Sequence, residues 1–203
     1  KASIENLNLL QAGRGEAGIS LGDSFSDAYK GDPEAGFKAP LDKLRTIAAL
    51  YPNYIHFVAA ADSGIKSFAD IKGKRISVGA PKSGTQLNSQ KILTAAGISY
   101  KDFSKVEYLS YAESVELMKN RQLDVTLLSS GAGVAALRDL ATSQKVVFLT
   151  IPAELSKKLT TPLTKWVSFL QIPMKDNPQT SKPSQYKTSS SHERVFQQTQ
   201  SIA

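Results

Sequence analysis

Hydrophobic residues near the start of the chain recur first at helical spacing and then at strand spacing. The pattern over 3–11 is typical of a short amphipathic helix, and an apolar step at 17–21 predicts a strand that leads into a helix over 22–29. From 44 to 61 the chain is strongly apolar apart from an interruption at Pro52, which predicts a strand on either side of a kink. These segments are expected to contribute to the core.

The middle of the chain alternates predicted strands with predicted helices. Short, mainly apolar runs predict strands at 75–79, 123–129 and 146–151. Helical spacing, capping residues and terminal glycines predict helices over 86–96, 110–120 and 134–141. Because strands that alternate with helices usually pack side by side in the same direction, the pattern predicts a parallel α/β sheet.

Composition and charge exclude several classes of protein. The 203 residues are 41% apolar, enough for a hydrophobic core, yet no run approaches the roughly 20 apolar residues of a membrane-spanning helix. With no cysteine, disulfide scaffolds, thiolate zinc sites and cysteine nucleophiles are excluded. The two histidines are far apart and the carboxylates do not cluster, so no metal or other cofactor is expected.

Most of the net positive charge lies near the end of the chain. The net charge of +7 divides into +2 over 1–156 and +5 over 157–203, so the body of the protein does not show the footprint of a nucleic-acid-binding protein. Residues 174–203 are rich in Ser, Thr and Gln and are expected to be poorly ordered. A basic tail that contacts a membrane or a nucleic acid is the alternative.

The loop after the strand predicted at 75–79 is the sharpest candidate for a binding site. Ser83, Gly84, Thr85 and Gln86 open the next helix, whose unpaired N–H groups and dipole favour a negatively charged ligand. An ordinary turn, with Ser83 or Thr85 acting only as the N-cap, is the alternative. The glycines at 79 and 84 have the spacing of a P-loop, but no lysine follows the second, which disfavours nucleotide hydrolysis.

Two further features are candidates for the wall of a ligand cleft. Tyr51 offers an apolar face and one hydroxyl, as residues at the rim of a binding cleft often do. Gly131 and Gly133 follow a predicted strand, where their small size lets backbone N–H groups approach a ligand. Both patterns also fit plain core packing and turn geometry.

The segment SLGDSFSD at 20–27 resembles the first block of the GDSL esterases, whose nucleophile would be Ser24. Such an enzyme also needs a histidine that accepts the serine proton, preceded by an aspartate three residues earlier. Neither His56 nor His192 has an aspartate at that position. An esterase that uses Ser24 is therefore kept only as an alternative.

Most of the chain resembles one family of transport proteins. Over roughly 3–151, and above all in ALYP at 49–52, DSGIKSFADIKGKRISVG at 62–79 and SGT at 83–85, it resembles the TAXI family of TRAP transporter solute-binding proteins. The resemblance implies a type II periplasmic binding fold with two α/β lobes and a cleft between them. The implied division is a first lobe at 1–70, a second at 71–151, and a return segment with the tail at 152–203.

The resemblance also implies a function. The chain would be a monomeric periplasmic receptor, not an enzyme, that binds a small carboxylate such as glutamate or a dicarboxylate and delivers it to the TRAP membrane subunits. The family's binding residues correspond to Ser83, Gly84 and Thr85 at the carboxylate, Tyr51 on the ligand wall, Asp23 near the cleft and the Gly131–Val134 loop, which closes from the other lobe.

Three departures from the family pattern bear on these expectations. The family's glycine-rich first strand should precede residue 1, as should any secretory leader, since the opening residues show no leader pattern. Leu21 and Gly22 stand where relatives tend to have Gln-Ser, and the return elements are not recognisable after Thr161. A degenerate binding fold without a ligand is therefore a further alternative.

Overall fold

A computed structural model describes residues 2–131, 133–159 and 165–171, with the backbone alone for 156–158 and 165–171. The predicted tail beyond 171 lies outside the described residues. The helices are α1 (Ser3–Gln11), α2 (Gly22–Lys30), α3 (Gly84–Ala95), α4 (Tyr111–Lys119), α5 (Ala135–Ser143) and α6 (Ala153–Lys158). The strands are β1 (Ala17–Leu21), β2 (Arg45–Ala60), β3 (Arg75–Ser77), β4 (Lys105–Glu107), β5 (Val125–Ser130), β6 (Val146–Leu149) and β7 (Lys165–Gln171).

The sheet is mixed, not parallel as predicted. Its order is β1-β7-β2-β5-β3-β4, and β6 also pairs with β2. Among the described strands, the parallel pairs are β3 with β4 and β3 with β5, because helices α3 and α4 carry the chain back to the same end of the sheet before each new strand. The long strand β2 runs antiparallel to β5, β6 and β7, and β1 runs antiparallel to β7. Alternation of strands and helices therefore predicts direction correctly only from β3 to β5.

Strand β2 continues through Pro52, where the sequence predicted a kink. Up to Asn53 it pairs with β7, and from Tyr54 onward it pairs with β5. Proline has no N–H to donate, and it is tolerated in a strand where one side carries no ladder partner. Among the described residues, β5 begins to pair only after Pro52, so the proline lies in such a half-open part of β2.

Three clusters of buried side chains hold these elements together. One packs α3 under the sheet through Phe57, Ile92 and Leu127, and another packs α4 and α5 on the opposite face through residues such as Leu128. All six residues of β5 are buried, because both faces of this central strand are covered. The third cluster joins α1 to α2 through residues that include Leu7.

Local capping follows the sequence signals. Ser110 and Glu113 form the predicted capping box of α4, and the Ser83 side chain caps α3, which begins at Gly84 rather than at Gln86 as predicted. Gly31 ends α2 in the left-handed conformation, with φ of 70°. Among the described residues, no helix combines the length and apolar character needed to cross a bilayer.

A forked ion pair joins β3 to the residue that precedes β5. The Arg75 backbone N–H and Nε donate to Asp124 Oδ2 over 2.8 and 3.0 Å, and Nη2 donates to Oδ1 over 2.5 Å. These bonds lower the pKa of Asp124 below its ordinary value. A carboxyl group with a lowered folded-state pKa stabilises the fold above its unfolded pKa, and this contribution is lost as the pH falls through the folded pKa.

We expect Asp124→Asn to lower the free energy of unfolding at pH 7 by about 1–2 kcal/mol, because it removes a charge-assisted fork whose carboxylate side is 17% exposed and whose arginine side, 37% exposed, is partly screened by water. The penalty should shrink below about pH 4, where Asp124 in the wild type begins to be protonated on unfolding. Urea denaturation at both pH values measures it. The control is Asp62→Asn, which breaks an exposed 3.5 Å pair with Arg121; an equal effect of the two variants contradicts the prediction.

Candidate functional site

A cleft of about 1060 Å³ opens where α1, β1 and the middle of β2 meet the starts of α3 and α4 and the end of β5. Its volume suits a small molecule. On the α1 and β1 side it is lined by Ala2, Ser3, Asn6, Leu9, Leu10, Arg14, Gly15, Ala17, Gly18, Ile19, Ser20 and Leu21. On the other sides it is lined by Tyr51, Asn53, Ala80, Ser83, Gly84, Thr85, Leu109, Ser110, Tyr111, Ser129, Ser130, Gly131 and Val134.

Most of the residues predicted to bind ligand line this cleft. They are Ser83, Gly84, Thr85, Tyr51, Gly131 and Val134. Asp23, Gln86 and Gly133 are not among the lining residues. Asp23 is buried in the first turn of α2, and the Gln86 side chain accepts a hydrogen bond from the Lys82 backbone N–H at 2.7 Å. Gly133 lies in an exposed turn with φ of 69°.

Of the backbone N–H groups at the start of α3, some donate hydrogen bonds within the protein and others are left for the cleft. The Ser83 N–H donates to the Ala80 carbonyl at 3.1 Å, and the Gln86 N–H donates to Ser83 Oγ at 3.0 Å. The N–H groups of Gly84 and Thr85 donate to no group among the described residues. Both residues line the cleft, so two donors at the positive end of a helix dipole remain for a ligand.

The Tyr111 hydroxyl connects three parts of the cleft wall. It donates to the Ser129 carbonyl at 2.6 Å and accepts from the Ser129 backbone N–H at 3.0 Å. Its remaining partner, Thr85 Oγ1, lies 2.7 Å away and must then be a donor, because a phenol carries one proton. Burial raises the pKa of Tyr111, which keeps that proton in place. The Thr85 hydroxyl therefore presents only acceptor sites to the cleft.

A second polar group surrounds Ser129. Its Oγ accepts hydrogen bonds from Asn53 Nδ2 at 2.7 Å and from Asn88 Nδ2 at 3.0 Å. Both asparagines are 2% exposed, so the two amides are fixed inside the protein. Since Ser129 Oγ already accepts two bonds, its own proton is left to donate. The same holds for Ser83 Oγ, which accepts from Gln86 and keeps its proton.

The lining residues that the sequence does not point to include Arg14, Asn53, Tyr111 and Ser129. Tyr111 falls inside the helix predicted over 110–120, and Asn53 and Ser129 fall inside predicted strands. Their partners lie 18 to 76 residues away in the chain, so local spacing carries no signal for them. Arg14 follows α1 in an exposed loop and is the one charged side chain among the described lining residues.

The structure does not assemble an esterase around Ser24. The Ser24 side chain is fully buried at the start of α2, and its Oγ has no hydrogen-bond partner among the described residues. His56 lies in β2, as predicted, where burial lowers its pKa, and His192 lies outside the described residues. The described part of the chain also contains no group of His, Asp and Glu side chains able to hold a metal ion.

A mixed sheet with helices on its faces and a cleft at one edge defines the class of the molecule: it has the fold of the type II periplasmic binding proteins. The chain belongs to the NMT1-like family, whose model matches residues 1–185. The predicted fold class is confirmed, and the finer assignment to the TAXI family stays a prediction.

Solved structures with this fold share little sequence with the chain. The periplasmic aliphatic sulphonate binding protein SsuA from Escherichia coli is 17% identical, with a TM-score of 0.57, over 84% of this chain and 52% of that one. An ABC uptake transporter substrate binding protein from Streptococcus pneumoniae with bound histidine is 13% identical, with a TM-score of 0.55, over 84% and 61%.

A third similar structure is an ABC transporter periplasmic binding protein from Brucella ovis with glutathione bound, which is 14% identical with a TM-score of 0.52, over 86% of this chain and 48% of that one. The chain therefore spans 48–61% of the length of these three proteins. Each of the three is described as a transport or binding protein.

Proposed function

We propose that the chain is a periplasmic solute receptor that captures a small anionic solute in the cleft and delivers it to a membrane transporter. The predicted solute is a carboxylate, such as glutamate or a dicarboxylate. The observation that carries the proposal is the pair of unused N–H groups of Gly84 and Thr85 on the cleft wall at the start of α3.

The surrounding side chains support the same chemistry. Ser83 and Ser129 each keep a hydroxyl proton to donate. Tyr51 packs its ring beside Gly131, since a β-carbon placed on this glycine would lie 3.6 Å from the ring carbons. The glycine thus leaves room for an aromatic wall beside the donors, as in many small-molecule sites.

Ligand capture in this fold requires that the two sides of the cleft move relative to each other. The resemblance to the TAXI family predicts that these two sides are a first lobe at 1–70 and a second lobe at 71–151. The change of partner along β2, from β7 to β5 between Asn53 and Tyr54, favours a crossing point nearer to residue 53. On this proposal the paired strands β2 and β7 form the hinge.

The kind of transporter that receives the solute is proposed from resemblance alone. The TAXI-like segments favour delivery to TRAP membrane subunits, whereas the solved structures with a similar fold include proteins of ABC transporters. One of the solved structures is that of an aliphatic sulphonate binding protein. Sulphonates share with carboxylates the negatively charged oxygens that backbone N–H groups and hydroxyls recognise. The acid group is therefore the common element of the proposal.

Isothermal titration of the full chain with glutamate, 2-oxoglutarate, glutarate and an aliphatic sulphonate tests the proposal. We expect saturable binding of at least one of these anions and none of an uncharged amide of the same size, such as glutaramide. Binding of no small acid, or equal binding of glutaramide, contradicts the proposal and favours the alternative of a binding fold that has lost its ligand.

Removal of the Tyr111 hydroxyl is expected to loosen this wall. In Tyr111→Phe the Ser129 N–H and carbonyl and the Thr85 hydroxyl lose their shared partner, which should lower the free energy of unfolding by about 1–2 kcal/mol. The affinity for the bound anion should fall by a similar free energy, or about five- to thirtyfold. Urea unfolding and titration measure the two effects.

Tyr100→Phe is the matched control for this variant. The Tyr100 hydroxyl is buried without a hydrogen-bond partner among the described residues, and burial, together with Tyr108, raises its pKa to about 12. Its removal should leave stability unchanged or slightly increased, because no bond is lost. A Tyr111→Phe protein as stable as Tyr100→Phe contradicts the role given to the Tyr111 hydroxyl.

A further inference from the structure

The floor of the cleft is formed by α1 and β1, which lie side by side and run in opposite directions. At one end the Leu21 backbone N–H donates to Ser3 Oγ at 3.3 Å, and further along Asn6 Nδ2 donates to the Ile19 carbonyl at 2.8 Å. A β-carbon on Gly18 would lie 3.1 Å from Leu10 Cδ1, so contact continues to the end of α1. The floor is therefore elongated along the helix axis.

The start of α3 lies at one end of this floor. A β-carbon on Gly84 would overlap Leu21 Cδ1 and lie 3.0 Å from Ser3 Oγ, so the helix start packs directly against the beginning of α1 and the end of β1. The N–H groups proposed to bind an acid group are those of Gly84 and Thr85 at this end. An acid group bound there leaves the rest of the floor to be filled.

Arg14 lies at the opposite end. The Gly13 N–H donates to the Leu10 carbonyl and the Arg14 N–H to the Leu9 carbonyl, each at 2.9 Å, which fixes the backbone of Arg14 at the C-terminal end of α1. Helix α1 has nine residues, which corresponds to a length of about 13 Å. The backbone of Arg14 and the start of α3 are thus separated by roughly the length of this helix.

We infer that Arg14 binds a second acid group at the far end of the cleft, so that the receptor prefers an elongated dianion to a compact one. The inference rests on the proposed function, which places the first acid group at the start of α3. The planar guanidinium can hold a carboxylate through two parallel N–H bonds, which gives direction as well as charge. A lysine at the same position would supply charge without the fork.

The flexible arginine side chain covers part of the distance between the two ends, and the solute must cover the remainder. Within a series of α,ω-dicarboxylates, affinity should therefore rise from succinate and glutarate towards pimelate and suberate, the members long enough to reach both ends. A monocarboxylate such as octanoate occupies the same floor but has no second acid group, and it should gain nothing from Arg14.

Titration calorimetry of the full chain with these acids tests the inference. In Arg14→Met we expect the affinity for suberate to fall about tenfold, with a smaller loss in Arg14→Lys, while the affinity for octanoate changes less than about twofold. Arg138→Met, which removes an exposed arginine of α5 that does not line the cleft, should leave both affinities unchanged and controls for net charge.

The results separate this inference from the proposed function. If short and long acids bind equally well and Arg14→Met binds suberate as the wild type does, the inference is overturned and the proposed function stands. If no acid binds to the wild-type chain, the proposed function fails and the inference fails with it. Loss of octanoate and suberate affinity by the same factor in Arg14→Met would also overturn the inference, because it would indicate a single acid site or a structural defect.

Discussion

Phe57→Ala is expected to lower the free energy of unfolding by about 3–5 kcal/mol, the range for removing a fully buried aromatic side chain. Phe57 is 1% exposed in the centre of β2. Its ring meets that of Phe68 edge to face, with centroids 5.0 Å apart, and neighbouring strands place Leu127 and Leu149 opposite it. Alanine would leave a cavity under a sheet whose central strand cannot move to fill it.

Phe148→Ala is the matched control, because Phe148 lies in the same sheet, on β6, but is 52% exposed. Removing its side chain should lower the free energy of unfolding by less than about 1 kcal/mol, since the exposed ring buries little apolar surface. Urea unfolding followed by circular dichroism measures both variants. Equal losses for the two phenylalanines would mean that the cluster around Phe57 does not hold the sheet together, contrary to its burial.

The elements predicted from the sequence are those whose signals are local. The helix over 3–11 and the capping box at Ser110 depend on residues within one or two turns of each other, and the structure confirms both. The buried strand predicted over 123–129 is confirmed as β5, because a run of apolar residues between polar turns has few other structures available.

Strand β7 could not be predicted in the same way. Its sequence, KWVSFLQ, mixes polar and apolar residues without a clear period, so the local pattern predicts no strand there. It becomes a strand by inserting between β1 and β2, whose residues lie more than a hundred positions earlier. Such a strand is specified by its two neighbours more than by its own composition, so the local sequence contains only part of the information.

The residues of the candidate site also divide into those with a local sequence signal and those that depend on distant parts of the chain. Ser83, Gly84 and Thr85 lie in one loop and carry the local signature of a helix start, which is visible in the sequence. Tyr111 and Ser129 reach that loop only because α4 begins and β5 ends beside it in the folded chain. A lone arginine in a polar loop usually lies on a solvated surface, so Arg14 shows no chemistry until the fold places it on the cleft.

Gly84→Val is expected to weaken anion binding by about 100-fold. A β-carbon at this position already overlaps Leu21 Cδ1 and approaches Ser3 Oγ to 3.0 Å, and valine adds two further methyl groups. Overpacking of this kind costs about 1–3 kcal/mol, here at the contact that places the donor N–H groups against α1 and β1. Gly84→Ala should give a smaller loss in the same titration, because the end of the Leu21 side chain can rotate away from one methyl group.

Gly131→Ala distinguishes a local clash from a general sensitivity of cleft glycines. Its β-carbon would lie 3.6 Å from the Tyr51 ring, an ordinary contact, and Gly131 does not adopt a positive φ. The affinity of this variant should therefore stay within about threefold of the wild type, since no atom has to move. If valine at 84 leaves binding intact, the start of α3 does not hold the acid group, because a solute bound through the Gly84 and Thr85 N–H groups cannot be indifferent to a side chain placed between those groups and the floor of the cleft.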